Sequence, residues 1–459
     1  FNWLVMAAAE DAGQFDIDQL DAETRDILNE MKEEEEKEVA EEAEQVQKKQ
    51  GWMRGALSMS KKVGMFGISG VKKGIMGSAR MATASAKWMV GQGGDKRSKE
   101  EQAEFEAMRK RILETRHPDA SMDGGIRCVN QQTVKDQRSL VMEVMKQMGR
   151  NMLHGKDLLY VTFPAKCSQP KTVLQLIANQ SSYSPGFLPR AAAAKDPVER
   201  FKLVIAHYIA GLHCTTGFYK PLNPILGETY QAQMEDKTSI FLEQVSHHPP
   251  VTSWQVFGPT KQFHFWGWVS YSASFGYNKL KVEHKGVRTL EFEDGGRISF
   301  TNPKDQFCNI FWGEPRHETL GTIHFVDEQN KLRCDLDFCP TVGLPSDCIY
   351  GVIVRQTSEE SEPEVLATVE GSWLGYVDID KKRYWDINTD KKYEVQPAPD
   401  PLPSDSRFRR DLLLLAEGNL IGAQEAKTEL EVAQRADRKL RAEGVAAAAA
   451  SSDDESDDA

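Results

Sequence analysis

The sequence predicts an α+β domain that is mostly β. The expected form is a large antiparallel barrel or curved sheet, with helices before it and a long helix after it. Three observations carry this. Short strand-like runs separated by Gly, Asn and Asp fill roughly residues 225–390. Within them, TLEFEDGGRISF alternates Leu290 and Phe292 into Asp294-Gly295-Gly296, then Ile298 and Phe300 out again, the pattern of a hairpin. Helical spacing appears on the flanks instead. Val141, Met145, Met148 and Met152 recur at helix intervals in RSLVMEVMKQMGRNMLHG, ahead of Gly155, which can end a helix.

Taken in order, the 459 residues divide by charge. The net charge is −12, of which residues 1–50 hold −11 (sixteen acids, five bases) and the tail SSDDESDDA holds −5, leaving +4 for the rest. Residues 1–50 read as an acidic segment, helical or disordered, and are given no chemistry. Between Trp52 and Val90 there are seven bases and no acid. Lys61-Lys62 and Lys72-Lys73 repeat at eleven residues, as do Met65 and Met76, and eleven residues make close to three helical turns. A basic stripe of Lys61, Lys62, Lys72 and Lys73 beside Phe66 suits an anionic membrane surface, in segment 51–95. A flexible basic linker fits the same composition, since glycine costs about 1 kcal/mol in a helix interior.

Residues 96–120 read as a charged helical linker ended by His117-Pro118 and Asp123-Gly124-Gly125. The main domain is expected over 121–445. It contains a second helical region near 169–215 and then the strands, including KQFHFWGWVSY and KLRCDLDFC. PAPDPLPSD is a stiff connector, a helix follows from about Arg409 to Ala442, and 446–459 is expected to be an acidic disordered tail.

Composition sets limits. Hydrophobic residues are 40% and mean hydropathy is −0.51, so a core is supported, and no apolar run reaches the ~18 residues of a membrane-spanning helix. The opening FNWLVMAAA is apolar but short, with no preceding base and no initiator Met, so targeting is not judged from it. Seven scattered cysteines without a CxxC pair argue against a zinc site or a disulfide framework and favour a reducing compartment. There is no nucleophile elbow, HExxH or phosphate-binding Gly-Lys loop, so no enzyme, metal or cofactor is expected.

Three stretches carry candidate chemistry. EQVSHHPPVTSW fixes His247 and His248 beside Pro249-Pro250, which restrict the backbone. Adjacent side chains of an extended segment face opposite ways, which suits one metal poorly, whereas imidazoles can donate to phosphate oxygens. YKPLNPILGETY sets Lys220 three residues from Asn223 between prolines, a cation and an amide that suit an anionic, hydroxyl-rich group. Lys427, Glu431 and Arg435 share a helix face at i, i+4 and i+8. Taken singly, a braced turn, a strand entry and a solvated stripe are the favoured readings of the three.

Together they resemble the oxysterol-binding protein family. EQVSHHPP is that family's motif, and KPLNPILGETY, NIFWGEPRHETLG, VEGSWLGYV and DSRFRRDLLLLAEGNLIGAQEAKTELEVAQR follow in the family's order over roughly 135–440. The resemblance implies a nearly closed barrel around a lipid tunnel with an N-terminal lid. It implies a sterol or phospholipid ligand exchanged for phosphatidylinositol 4-phosphate. It assigns Lys220, Asn223, His247, His248, Lys427, Glu431 and Arg435 to the phosphoinositide headgroup, and Leu140, Val141, Val144, Met145, Met148 and Met152 to the lid. A cytoplasmic protein touching anionic membranes transiently, with no nucleic-acid partner, is the expected setting. Where the family has Glu-Pro after the lid, this chain has Gln169-Pro170. The following Pro-x-x-x-Leu-Gln looks closer to sterol-binding members, while Lys171 blurs the choice. A phosphatidylserine exchanger and a sterol sensor or tether stay open as alternatives.

Overall fold

The computed structural model describes residues 99–148, 163–247, 249–338, 343–356 and 363–454, with eight helical positions between 25 and 37. For 99–102, 104, 143–148 and 445–454 it describes the backbone alone. The acidic segment 1–50 is otherwise outside these residues, as are the membrane candidates Lys61, Lys62, Phe66, Lys72 and Lys73.

The strand-rich region forms one 16-stranded sheet among the described residues. It opens at Lys382–Asp386 and runs through neighbouring antiparallel strands to Thr229–Gln233, where Gln396–Pro397 adds the last edge. The strands Lys279–Lys285 and Lys304–Cys308 lie off this path. They pair with each other and bridge the long strands Phe263–Gly276 and Arg316–Asp327, which completes a ring of strands. The curvature encloses a lumen lined by inward residues of strands between Ser239 and Asp327. The hairpin read from the sequence is present, with Leu290 opposite Ile298 and the Gly295 amide donating to Phe292 O at 2.8 Å.

Helices plug and flank this sheet. Helix α1, Lys99–Glu114, packs on the last strands: Ile112 is buried against Cys348 and Tyr376. Just past it, the Thr115 carbonyl comes so close to Gly375 that a Cβ there would meet it at 1.9 Å. Arg116 and Asp347 form a buried ion pair at 2.5 Å, and the Ser372 hydroxyl also donates to Asp347. Removing one partner would leave an uncompensated buried charge. Asp347→Ala is therefore expected to lower unfolding free energy by about 3–5 kcal/mol in a denaturant titration, and a loss below about 1 kcal/mol would refute this.

Helix α2, Gln131–Met148, is the predicted Met-rich helix. Its N-terminus is capped by Asn130, whose Oδ1 accepts the amides of Gln132 at 2.9 Å and Thr133 at 3.0 Å. The second helical region resolves into α3 (Val173–Asn179), α4 (Ser184–Ala193) and α5 (Pro197–Leu212). Helix α5 starts on Asp196, whose side chain accepts the Val198 amide at 3.0 Å, and is buried over most of its length. The run FKLVIAHYIAGL explains that burial, since an all-round apolar helix must be covered. Tyr208 packs tilted on Phe300, which stacks on Phe325, at 4.7 and 4.8 Å between ring centres.

The single helix expected over 409–442 is instead two. Helix α6 spans Arg410–Ala416 and α7 spans Leu420–Asp454. Gly418 takes φ +79°, and the amides of Gly418 and Asn419 close on Leu415 O and Leu414 O. A left-handed glycine ends a helix in this way without steric cost. The alanine run after Gly444 carries α7 on to Asp454, into the segment assigned to the tail. No helix among the described residues is long and apolar enough to cross a membrane.

Candidate functional site: a cation-lined mouth on an apolar cavity

The short strand Lys220–Leu222 runs parallel to Ser168–Thr172, with Lys220 opposite Ser168. Pro221 and Pro224 hold the turn that follows, so Lys220 and Asn223 are presented by a stiff loop. The Lys220 ammonium donates to Asn223 Oδ1 at 2.6 Å and to Pro221 O at 3.3 Å, and lies 5.7 Å from the Phe163 ring centre. Burial, and then the neighbouring Lys427 ammonium, push its pKa down to about 8.

His247 ends the strand Ser239–His247 and faces Pro250 across its hairpin. The register slips between Gln244 and Ser246, a bulge that re-aims the last residues. Buried Gln244 fixes it: its amide donates to Ser246 O at 2.7 Å, and its carbonyl oxygen accepts from the Thr252 hydroxyl at 2.7 Å. His247 is thereby half-buried and directed to the same mouth as Lys220 and Asn223. His248 lies outside the described residues.

On α7, Lys427 and Glu431 form a half-buried ion pair one turn apart. Helix α7 packs its Ala423 against Leu222, next to Lys220, and both charges act on Lys220, although neither lines the cavity itself. Arg435 is exposed, eight residues or about 12 Å along the axis from Lys427. The structure thus gathers Lys220, Asn223 and His247 directly and backs them with Lys427 and Glu431, while Arg435 is exposed two turns further along α7.

Behind the mouth lies a cavity of about 380 Å³, a size suited to a small apolar molecule. Leu140, Val141, Val173, Leu176, Val269 and Leu280 contribute apolar wall. Leu140 and Val141 come from α2, and Leu140 packs on Cys167 and Phe163. Val144, Met145 and Met148 follow on the same helix, where only the backbone is described, and Met152 lies outside the described residues. Val134, Gln137 and Arg138 also reach the cavity. Continuing the Met stripe one and two turns upstream of Val141 at the 3.6-residue period finds them.

The cavity also has a polar patch that the sequence reading missed. Tyr208, Tyr271, His284, Arg288, Asp305 and His317 line it from α5 and five strands. Asp305 receives the Thr319 hydroxyl at 3.0 Å and lies 3.3 Å from His317 Nε2 and 3.6 Å from His284 Nε2. Burial alone would raise its pKa, but His317 and His284 outweigh this and hold it at about 2. Arg288 donates to Asn302 Oδ1 at 2.6 Å and lies over Trp254, 4.5 Å from the ring centre. Arg288 and Asp305 thus bring opposite charges to this patch. The signal was there: in KLKVEHK, His284 shares a face with Leu280 and Val282. Among the described residues no group of three or more His, Cys, Asp and Glu could hold a metal ion.

The lowered Lys220 pKa has a testable consequence. The ammonium is charged below about pH 8, so anion affinity at the mouth should fall as pH rises through that value, by up to about tenfold per unit above it. Stability of the unliganded chain moves oppositely: the unfolded lysine keeps its proton to higher pH, so folding is favoured as Lys220 loses its own. Liposome binding and thermal melts from pH 7 to 10 check both signs; parallel trends would contradict this.

The comparisons agree with this architecture. The family model described as Oxysterol-binding protein matches residues 144–451. Oxysterol-binding protein 9 of Dictyostelium discoideum is 33% identical over 338 residues, covering 69% of this chain and 79% of that protein. Human oxysterol-binding protein-related protein 6 is 30% identical over 315 residues, covering 63% of this chain and 33% of its own length. The chain therefore spans about a third of that longer relative. Among solved structures, the Osh1 ORD domain in complex with ergosterol aligns with a TM-score of 0.57 and 23% identity, covering 74% of this chain and 89% of that one. The Osh3 ORD in complex with PI(4)P from Saccharomyces cerevisiae aligns at 0.54 and 23%, covering 71% and 88%. Motifs, fold and family match point the same way, and the chain belongs to the oxysterol-binding protein family.

Proposed function

We propose that this chain carries one lipid at a time in its lidded cavity, and exchanges a sterol for phosphatidylinositol 4-phosphate between membranes. The observation that carries this is the joining of two chemistries at one opening. Lys220, Asn223 and His247 line the mouth of a cavity whose wall is largely apolar. A phosphorylated inositol fits the first and a hydrocarbon body fits the second. Charge-assisted hydrogen bonds would hold the phosphate, with Lys427 and Glu431 adding field and hydroxyl contacts. Burial of the apolar body contributes about 25 cal/mol per Å² removed from water. Helix α2 supplies the cover that keeps it dry.

A sterol is favoured as the second cargo by the polar patch around Arg288 and Asp305, since a single hydroxyl can be hydrogen-bonded there without adding charge. The similar structures in complex with ergosterol and with PI(4)P support the same pair of ligands. No bond is made or broken in this reading. The test is mass spectrometry of lipids taken from mixed liposomes. Enrichment of sterol and phosphatidylinositol 4-phosphate, at one lipid per chain in total, is expected. Enrichment of phosphatidylserine instead would assign the other exchange, and enrichment of no lipid would overturn the proposal.

The basic segment 52–90 is assigned to membrane attachment on its seven bases and absent acids. Its deletion should lower binding to anionic liposomes severalfold, and most at low salt. Unchanged, salt-insensitive binding would remove that role.

A further inference from the structure

The two lysines of the mouth come from stretches some two hundred residues apart, the Lys220–Asn223 loop and helix α7. Between them sits a guanidinium that no step above uses. We propose that Arg409 is the positioning residue of the mouth: it sets the Lys220–Asn223 loop against the α6–α7 unit, and so tunes anion binding without touching the lipid. This rests on the exchange reading above.

Arg409 is buried, at 9% exposure, and each of its donor nitrogens has a partner. Nη1 donates to the backbone oxygen of Asn223 at 2.7 Å and to Glu228 Oε2 at 2.9 Å. Nε and Nη2 donate to the two oxygens of Asp411 at 3.0 and 2.6 Å. Each carboxylate in turn grips one of the two pieces. Glu228 Oε2 accepts the Ile225 amide at 2.9 Å, which pins the same loop two residues beyond Asn223. Asp411 Oδ1 accepts the Leu412 amide at 2.9 Å in the first turn of α6. Helix α6 then reaches α7 through the Gly418 turn, and Leu412, Leu415 and Ala423 pack on Leu222 beneath the loop. A buried ion cluster adds little stability over an apolar one of the same volume, so its presence at this joint calls for another account. The planar fork supplies one: it fixes direction and distance on both sides at once, which an ammonium cannot do. The Arg409 charge also helps lower the Lys220 pKa, so the joint lies within electrostatic reach of the mouth.

The test compares Arg409→Lys and Glu228→Gln with wild type, using liposomes that contain either phosphatidylinositol 4-phosphate or a fluorescent sterol. Expected is a loss of phosphoinositide extraction of about tenfold or more for Arg409→Lys and a smaller loss for Glu228→Gln, with sterol binding within about twofold. Lys220→Ala should then cost much less in the Arg409→Lys background than in wild type, because a displaced loop has already lost what Lys220 gives. Full additivity, or parallel loss of both lipids with the melting temperature in both variants, would reduce Arg409 to a structural residue and overturn the proposal. Wild type that extracts no phosphoinositide would instead overturn the exchange reading itself.

Discussion

Replacing Lys220 and His247 together by alanine is expected to lower phosphatidylinositol 4-phosphate extraction about a hundredfold or more, with sterol binding held within a few-fold. Each side chain offers the phosphate a charge-assisted hydrogen bond, and such bonds contribute about 1.5–3 kcal/mol each. Two of them give about 3–6 kcal/mol, and tenfold corresponds to 1.4 kcal/mol. The fold should tolerate the change. Both residues are only partly buried at the mouth, and the Gln244 bulge and the two flanking prolines shape the backbone without them. A liposome extraction assay read with a phosphoinositide probe checks this. Equal loss of both lipids would mean that the mouth is not a dedicated headgroup site.

The second expectation has the opposite selectivity. Ala273 sits on the long strand Phe263–Gly276 opposite Val282, is 9% exposed and lines the cavity. Ala273→Trp should fill the lumen and abolish binding of sterol and phosphoinositide alike. The usual overpacking cost of about 1–3 kcal/mol should be reduced, because the added ring enters open space rather than packed core. Fluorescent sterol titration, phosphoinositide extraction and a thermal melt report the three parts. Retained binding of either lipid would place its hydrocarbon body somewhere other than this cavity.

The two variants divide the site along the line between what was legible in the sequence and what was not. The mouth was legible because its residues sit in local motifs: Lys220 and Asn223 are three apart, and Lys427 and Glu431 are one helical turn apart. The strand region was legible through alternation, most clearly at Leu290–Phe292 and Ile298–Phe300. The polar patch was not. Tyr208, Tyr271, His284, Arg288, Asp305 and His317 meet only after six elements, one helix and five strands, take their places. A one-residue slip of either short strand would turn His284 or Asp305 away from the lumen. The break in the C-terminal helix was missed for a different reason. Gly418 lies within a run that otherwise keeps helical composition, and only its left-handed backbone separates α6 from α7.

The central claim is that one cavity serves two lipids in turn. Its most direct test is displacement: the protein is loaded with a fluorescent sterol and titrated with liposomes containing phosphatidylinositol 4-phosphate. The account predicts release of one sterol for each phosphoinositide taken up, and no release from the Lys220→Ala/His247→Ala variant. A ternary complex holding both lipids on one chain would contradict it.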